Sequence, residues 1–270
     1  MGGLTDAAGG VPRSDHARVA YDVLAPGYDV LTGRHDHAAW SALVESCAAR
    51  AGARGRVLLD VGCGTGSTIV PMLGRGWAMT GVDVSSAMIA EARRKTAGRA
   101  RLLVADMRDL PRLGRFDLVW CLGDALNYLH TRAELVATFT GMRRNLAPGG
   151  VVAFDVNTLA TFRTLYTSLL AVPEADRVVL VEGRGSDRVE AGGSALAWID
   201  RLEREPSGWW TRTRSEHHHR HHPEGELRAA LTAAGLSCVG VWGTTPAGTI
   251  DPVLDELHHG KAVYTARAAG

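Results

Sequence analysis

Several features that would settle a function at once are missing from this 270-residue chain. Lys and Arg number 30 against 29 Asp and Glu, a net charge of +1, so no global field draws it to nucleic acid or an anionic membrane. The four cysteines, Cys47, Cys63, Cys121 and Cys238, form no C-x-x-C pair and no finger spacing. Most of them lie in or beside apolar strand-like runs, which points to buried reduced thiols and a reducing, cytoplasmic setting. There is no apolar run of about 18 residues, so no membrane-spanning helix is expected. Residues 1–15 are Gly/Ala-rich and polar and lack the hydrophobic stretch of a signal peptide; a floppy tail is expected there. Asp6 stands where a myristoylation signal needs Ser or Thr. A G-K-[ST] phosphate loop is absent, as are internal repeats and any low-complexity segment beyond the tail.

What is present centres on Val57-Leu58-Leu59-Asp60-Val61-Gly62-Cys63-Gly64-Thr65-Gly66. A short apolar run, β-branched at both ends, suits a buried parallel strand. The glycines then permit a sharp turn with no Cβ to hold a ligand off the backbone. A helix is expected from Ser67, its N–H groups facing the same space. Strands are expected over 77–83, 101–104, 116–121 and 151–155, with helices over 37–51, 86–95 and 133–146 between or before them; Ser85 is a good N-cap. This alternation implies an α/β fold with a doubly wound parallel sheet. Ahead of it Tyr21-Asp22 and Tyr28-Asp29 flank Pro26-Gly27, which is expected to break any helix between them. Beyond residue 155 the rhythm changes. Val178–Glu182, Ala195–Arg201 and Trp209–His222 read as extended segments of a small antiparallel insertion. A helix over 224–234 and two strands over 236–242 and 262–266 close the chain. The expected division is a tail over 1–16, a core over 17–158, an antiparallel lid over 159–222 and the end of the core over 223–270.

Ligands on open wound sheets lie beyond the carboxyl ends of the strands. Asp60, Asp83, Asp106 and Leu122-Gly123-Asp124 all fall at those ends. An acid ending the second strand can take both ribose hydroxyls of a nucleoside. One after the third can accept from an adenine amino group, with Met107 packing on the ring. Together with Asp60–Gly66, Ala105-Asp106-Met107-Arg108, Phe116-Asp117 and Leu146-Ala147-Pro148-Gly149-Gly150, this ordered set resembles the class I S-adenosylmethionine-dependent methyltransferases. The resemblance covers about 57–155, and the last two strands fit that family's reversed hairpin. It implies a seven-stranded, mostly parallel Rossmann-like sheet and S-adenosylmethionine as cofactor. It also implies a cofactor site built from Tyr28, Trp40, Asp60, Gly62, Gly64, Gly66, Asp83, Val84, Met88, Ala105, Asp106, Met107 and Leu122. A nicotinamide fingerprint would need a third glycine where Ser67 stands.

Tyr21-Asp22, Tyr28-Asp29, Gly123–Leu129, Phe154–Thr158 and Glu216-His217 with Arg220 are similar to a small-molecule subgroup that includes N,N-dimethyltransferases of amino sugars. In that subgroup the late antiparallel strands cover the pocket, and the acceptors vary. Methyl transfer needs little beyond holding acceptor and methyl carbon in line; a base is required only if the acceptor must lose a proton. Tyr128 is a candidate to orient or deprotonate the acceptor, its alternative being a half-buried tyrosine with its hydroxyl on solvent. Tyr21 and Tyr28 are candidates to cover the reacting methyl group, or pack as hydrophobic surface. Asp124 and Asn127 contact the acceptor or cap the following helix; Asn157 lies at the sheet's ligand edge. In Glu216-His217-His218-His219-Arg220-His221-His222, strand alternation puts His217, His219 and His221 on one face. No clear third metal ligand accompanies them, so no metal is expected. The subgroup's pattern turns His217 into the pocket as a candidate base, and His219 shares its face as a substrate contact. No Asn/Asp-Pro-Pro-aromatic block follows the fourth strand and no basic stripe carries aromatics, so a small molecule rather than nucleic acid is the expected partner.

Overall fold

The computed structural model describes residues 15–245 and 247–270. Of the expected tail, residues 1–14 lie outside the described residues, and Asp15 and His16 stand at the start of the first helix. That helix, α1, runs His16–Thr32 without interruption, contrary to the break expected at Pro26-Gly27. Proline in a helix interior costs about 3 kcal/mol in isolation, but here tertiary contacts hold the helix on both sides of it. Asp22 accepts from Ser85 Oγ at 2.6 Å, and Asp29 accepts from Thr65 Oγ1 at 2.6 Å. A Cβ on Gly27 would stand 2.6 Å from Arg201 Cδ, so that side chain would have to shift to admit one.

The core follows as α2 (His37–Arg50), β1 (Val57–Val61), α3 (Ile69–Gly74), β2 (Ala78–Asp83), α4 (Ser86–Thr96), β3 (Arg101–Val104), β4 (Phe116–Cys121), α5 (Arg132–Arg144) and β5 (Leu146–Asn157). The helix expected from Ser67 begins at Ile69, since Ser67 and Thr68 turn their hydroxyls to Asp29 and Asp60. Ser85 caps α4 by accepting from Met88 N–H at 3.1 Å. Thr131 and Glu134 form a capping box on α5. β5 starts earlier than the expected 151, pairing Leu146 with Phe116 before a register shift across Pro148-Gly149.

A short helix, α6 (Leu159–Thr164), leads into β6 (Leu169–Pro173), β7 (Arg177–Gly183), β8 (Ser194–Arg204) and β9 (Trp210–Arg220). These four strands form a separate antiparallel meander, one strand more than the sequence pattern suggested. β6 was illegible because Leu169, Leu170 and Ala171 are all exposed and show no alternation. The chain then completes the core with α7 (Glu224–Ala233), β10 (Leu236–Thr244), β11 (Ile250–Asp251) and β12 (Lys261–Ala268).

The large sheet has the order β3-β2-β1-β4-β5-β12-β10-β11. β1 to β5 are parallel, β12 runs antiparallel to β5, and the two-residue β11 adds an eighth rung to the expected seven strands. Alternation along β1 sends Leu58 to one face, with Val44, Met72, Ile89 and Trp120, and Leu59 to the other, with Phe139, Phe154, Leu231 and Tyr264. A third cluster, around Leu24, Phe162, Tyr166, Val179, Val181 and Ile199, seals the small sheet to α1. The carboxyl ends of β1, β2 and β4 align, so Asp60, Asp83 and the Gly123-Asp124 turn share one edge beneath α1.

Candidate active site

The turn after β1 is shaped by backbone requirements. Gly62, Gly64 and Gly66 all have positive φ, at 75°, 52° and 78°. Gly62 and Cys63 donate their N–H groups to Val82 C=O at 2.8 and 2.9 Å, which ties the turn to β2. Asp83 at the end of β2 accepts from Gly64 N–H through one oxygen and Ser85 N–H through the other, each at 2.9 Å. Burial raises its carboxyl above the usual range, and those N–H bonds pull it back in part.

A cavity opens here, lined by Gly62, Gly64, Asp83, Val84, Ala105, Asp106, Met107 and Leu122, with Tyr21 and Tyr28 of α1 above. Asp106 reaches it, but its carboxylate is clasped by Arg108, with Nε at 2.9 and 3.0 Å, and Arg108 extends to Glu134 at 3.5 Å. The carboxylate lines the cavity while making these local bonds. Asp60 and Trp40 line a neighbouring pocket with Lys261 and His35. Asp60 Oδ2 accepts from Thr68 Oγ1 at 2.6 Å, and burial lifts its carboxyl to about 6. Two residues of the expected cofactor set lie elsewhere. Gly66 packs on Ala92, and Met88 is buried in the core.

Between the small sheet and the core lies a second cavity, lined by Asp124, Tyr128, Asn157, His217, His219 and Lys261 among others. It shares Tyr21, Tyr28, Gly123 and Tyr128 with the first. The two Tyr-Asp pairs explain α1's place. About two turns apart, the tyrosines share one stripe over this junction. The adjacent aspartates reach down to the loops after β1 and β2, Asp29 also accepting from Lys95 Nζ at 2.8 Å. Tyr21 meets Tyr28 edge-on at 6.0 Å between centroids, Tyr128 at 5.3 Å and His217 at 5.4 Å.

Strand alternation does turn His217, His219 and His221 inward. His217 Nδ1 lies 2.7 Å from Tyr128 Oη and its Nε2 2.9 Å from Ser215 Oγ, so both ring nitrogens are engaged. His219 Nδ1 is bonded to Tyr166 Oη, with Asp124 Oδ2 4.0 Å away. Burial lowers both imidazoles to about 4. His221 instead bonds Glu256 at 2.7 Å and pins the sheet's root. Asn127 serves neither expected role. It is fully buried, accepts from Asn157 N–H at 2.9 Å and donates to Arg220 C=O at 2.8 Å, stitching core to lid.

Sequence reasoning missed Lys261. Its Nζ sits 2.8 Å from Asp124 Oδ1 and 3.2 Å from Asp155 Oδ1, while Asp155 accepts from Gly123 and Asp124 N–H at 2.9 and 2.7 Å. This clamp holds Asp124 in a left-handed conformation, φ 55°, rare for a residue with a side chain. A lysine opening the last strand carries no motif, and only the folded sheet brings it to Asp124.

The sequence and the fold are similar to those of known proteins. A family model described as "Methyltransferase domain" matches residues 58–150. YqeM of Bacillus subtilis is 33% identical over 140 residues, 51% of this chain and 55% of the relative. The chain thus spans about half the length of that relative. The dTDP-3-amino-3,4,6-trideoxy-alpha-D-glucopyranose N,N-dimethyltransferase of Streptomyces venezuelae is 32% identical over 181 residues, 66% of this chain and 74% of the relative. The X-ray structure of the sugar N-methyltransferase KedS8 from a Streptoalloteichus species superposes with a TM-score of 0.72 at 26% identity, covering 98% of this chain and 97% of that one.

Proposed function

Because the chain belongs to the class I S-adenosylmethionine-dependent methyltransferase family, we propose that it moves the methyl group of S-adenosylmethionine onto the amino nitrogen of a small molecule. The observation that carries this reading is the shared wall. One cavity sits at the strand ends, the other under the lid, and Tyr21, Tyr28, Gly123 and Tyr128 border both. A donor in the first and an acceptor in the second meet at that border.

The residues present fit the cofactor. Gly62 and Gly64, which carry no Cβ, line the first cavity. Asp83 retains lone pairs for two hydroxyls beyond its two backbone bonds. Val84, Ala105, Met107 and Leu122 supply apolar walls for a flat ring. Asp60 and Trp40 border the space next to it, where the cofactor's amino-acid end would lie.

S-adenosylmethionine, when bound, supplies a methyl carbon already activated on a sulfonium sulfur. The chain's part is to hold the acceptor in line and exclude water. The tyrosine rings shield the junction, and their faces favour a cationic centre. Burial pushes the Tyr128 phenol upward, so it stays protonated and orients the acceptor through a hydrogen bond. His217, neutral between Tyr128 and Ser215, fixes that hydroxyl.

Incubation with methyl-labelled S-adenosylmethionine and a panel of small amines, read by mass spectrometry, tests the proposal. Label on an amine nitrogen is the expected result. Tight cofactor binding with no transfer to any amine would sink it.

A further inference from the structure

The relatives named for amino-sugar methylation carry dTDP-linked sugars in their names. The acceptor cavity of this chain has a different chemistry. It measures about 510 Å³, and Leu24, Leu31, Leu165, Leu170, Val181 and Ile199 line it together with four tyrosines, three threonines and Asn157. Among the described residues lining it, Asp124 and Lys261 alone carry charge at neutral pH, since burial keeps His217 and His219 neutral. Lys261 is not available to a ligand anion. It is held between Asp124 and Asp155, so the group of three carries one surplus negative charge.

The lid's arginines do not make up the difference. Arg184 and Arg214 stack on Trp198 at 4.5 and 4.1 Å, and Arg212 and Arg214 pair with Asp200. These residues occupy the face opposite Ala197, Ile199, His217 and His219, which line the cavity. Arg177 and Arg201 are both paired with Glu203, and Arg201 packs on Gly27 of α1. Another cavity does contain Arg184, with His16, His130 and His218, but it shares no residue with the acceptor cavity. A diphosphate is recognised by free guanidinium or ammonium groups, or by clustered backbone N–H groups. This cavity offers it an excess carboxylate and, among its described lining residues, no unpaired cation.

We propose that the acceptor is an apolar amine carrying no phosphate or carboxylate, its nitrogen drawn to Asp124 and its hydrocarbon body held under the lid. The proposal rests on the methyltransferase reading above. Calorimetry on the full chain loaded with S-adenosylhomocysteine tests it, with 4-phenylbutylamine, 4-phenylbutyrate and thymidine diphosphate as probes. The amine is expected to bind at least about tenfold more tightly than the carboxylate of the same skeleton. Thymidine diphosphate is expected not to displace it. The Asp124→Asn variant should lose most of that preference while still binding the cofactor product. A wild-type protein that binds the carboxylate or the diphosphate as well as the amine overturns the proposal alone. Failure to bind S-adenosylmethionine or its product overturns the methyltransferase reading, and this proposal with it.

Discussion

At Tyr128 the question is whether a hydroxyl orients or deprotonates. Positioned general bases contribute about 10²–10⁴ in rate. Such a base needs a pKa near the working pH, and neither group here has one: the phenol is pushed up by burial and His217 is pulled down to about 4. The reacting species is therefore the free-base fraction of the amine, and the ammonium form held beside Asp124 is unreactive until it loses its proton. Tyr128→Phe is expected to lower kcat by no more than about tenfold, the scale of one lost hydrogen bond, and to leave cofactor affinity unchanged. The logarithm of kcat/KM should climb with pH toward the acceptor's own pKa, with no break near 6.5. A thousandfold loss, or an acid limb that vanishes in His217→Gln, would restore base catalysis. Asp83 makes a different kind of contribution. Its two oxygens organise the turn after β1 and, in the proposed cofactor mode, would take two hydroxyls. Hydrogen bonds to a charged acceptor contribute about 1.5–3 kcal/mol each. Asp83→Ala is thus expected to weaken S-adenosylmethionine by about a hundredfold or more in calorimetry, whereas Tyr128→Phe does not.

Among the elements, α1 ties sequence to function most directly. Its tyrosines border both cavities, and its aspartates fasten it to the loops after β1 and β2. Asp29 and its partner Lys95 are partly exposed, so each tie adds at most about 1 kcal/mol to global stability. Their larger effect is local. Asp22→Ala with Asp29→Ala should speed amide exchange across His16–Thr32 and weaken cofactor binding severalfold, with only a small fall in melting temperature. Unchanged exchange in α1 would show that packing of Leu24 and Ala25 suffices. Elements buried on both sides were readable from the chain. β1, β2 and β4 are apolar runs that end in or beside functional residues, and Ser85 announced α4. Those set by tertiary context were not. Pro26-Gly27 reads as a break, yet α1 passes through, tied on either side by Asp22 and Asp29. β6 shows no pattern because its side chains are mostly exposed.

For the whole molecule, the strand-end carboxylates and the inward face of β9 were legible, since strand geometry alone places them. The use of each group was not. Arg108 claims Asp106, Asn127 joins core to lid, and Lys261 comes from the far end of the chain to hold Asp124. The lid's attachment also makes stability depend on pH. His217 and His219 under the lid and His222 at its root, bonded to Leu126 C=O at 3.0 Å, are all lowered by burial to about 4. In the unfolded chain each would titrate near 6.5. Between those values the unfolded state binds the proton and the folded state does not, so stability falls as pH drops from about 6.5 to about 4. Each histidine can account for roughly 3 kcal/mol of that loss at most. Asp60, raised to about 6, acts in the opposite sense, and so does Asp83, because a buried carboxylate is relieved on protonation. Three histidines, each with a large shift, outweigh the two acids. Urea midpoints are therefore expected to fall between pH 6.5 and 4. His222 borders neither main cavity, so His222→Gln isolates the effect from catalysis. That variant is expected to start less stable at pH 7 but to lose less on acidification, its slope smaller by up to one proton, about 1.4 kcal/mol per pH unit. An unchanged slope would mean that His222 already titrates normally in the folded protein.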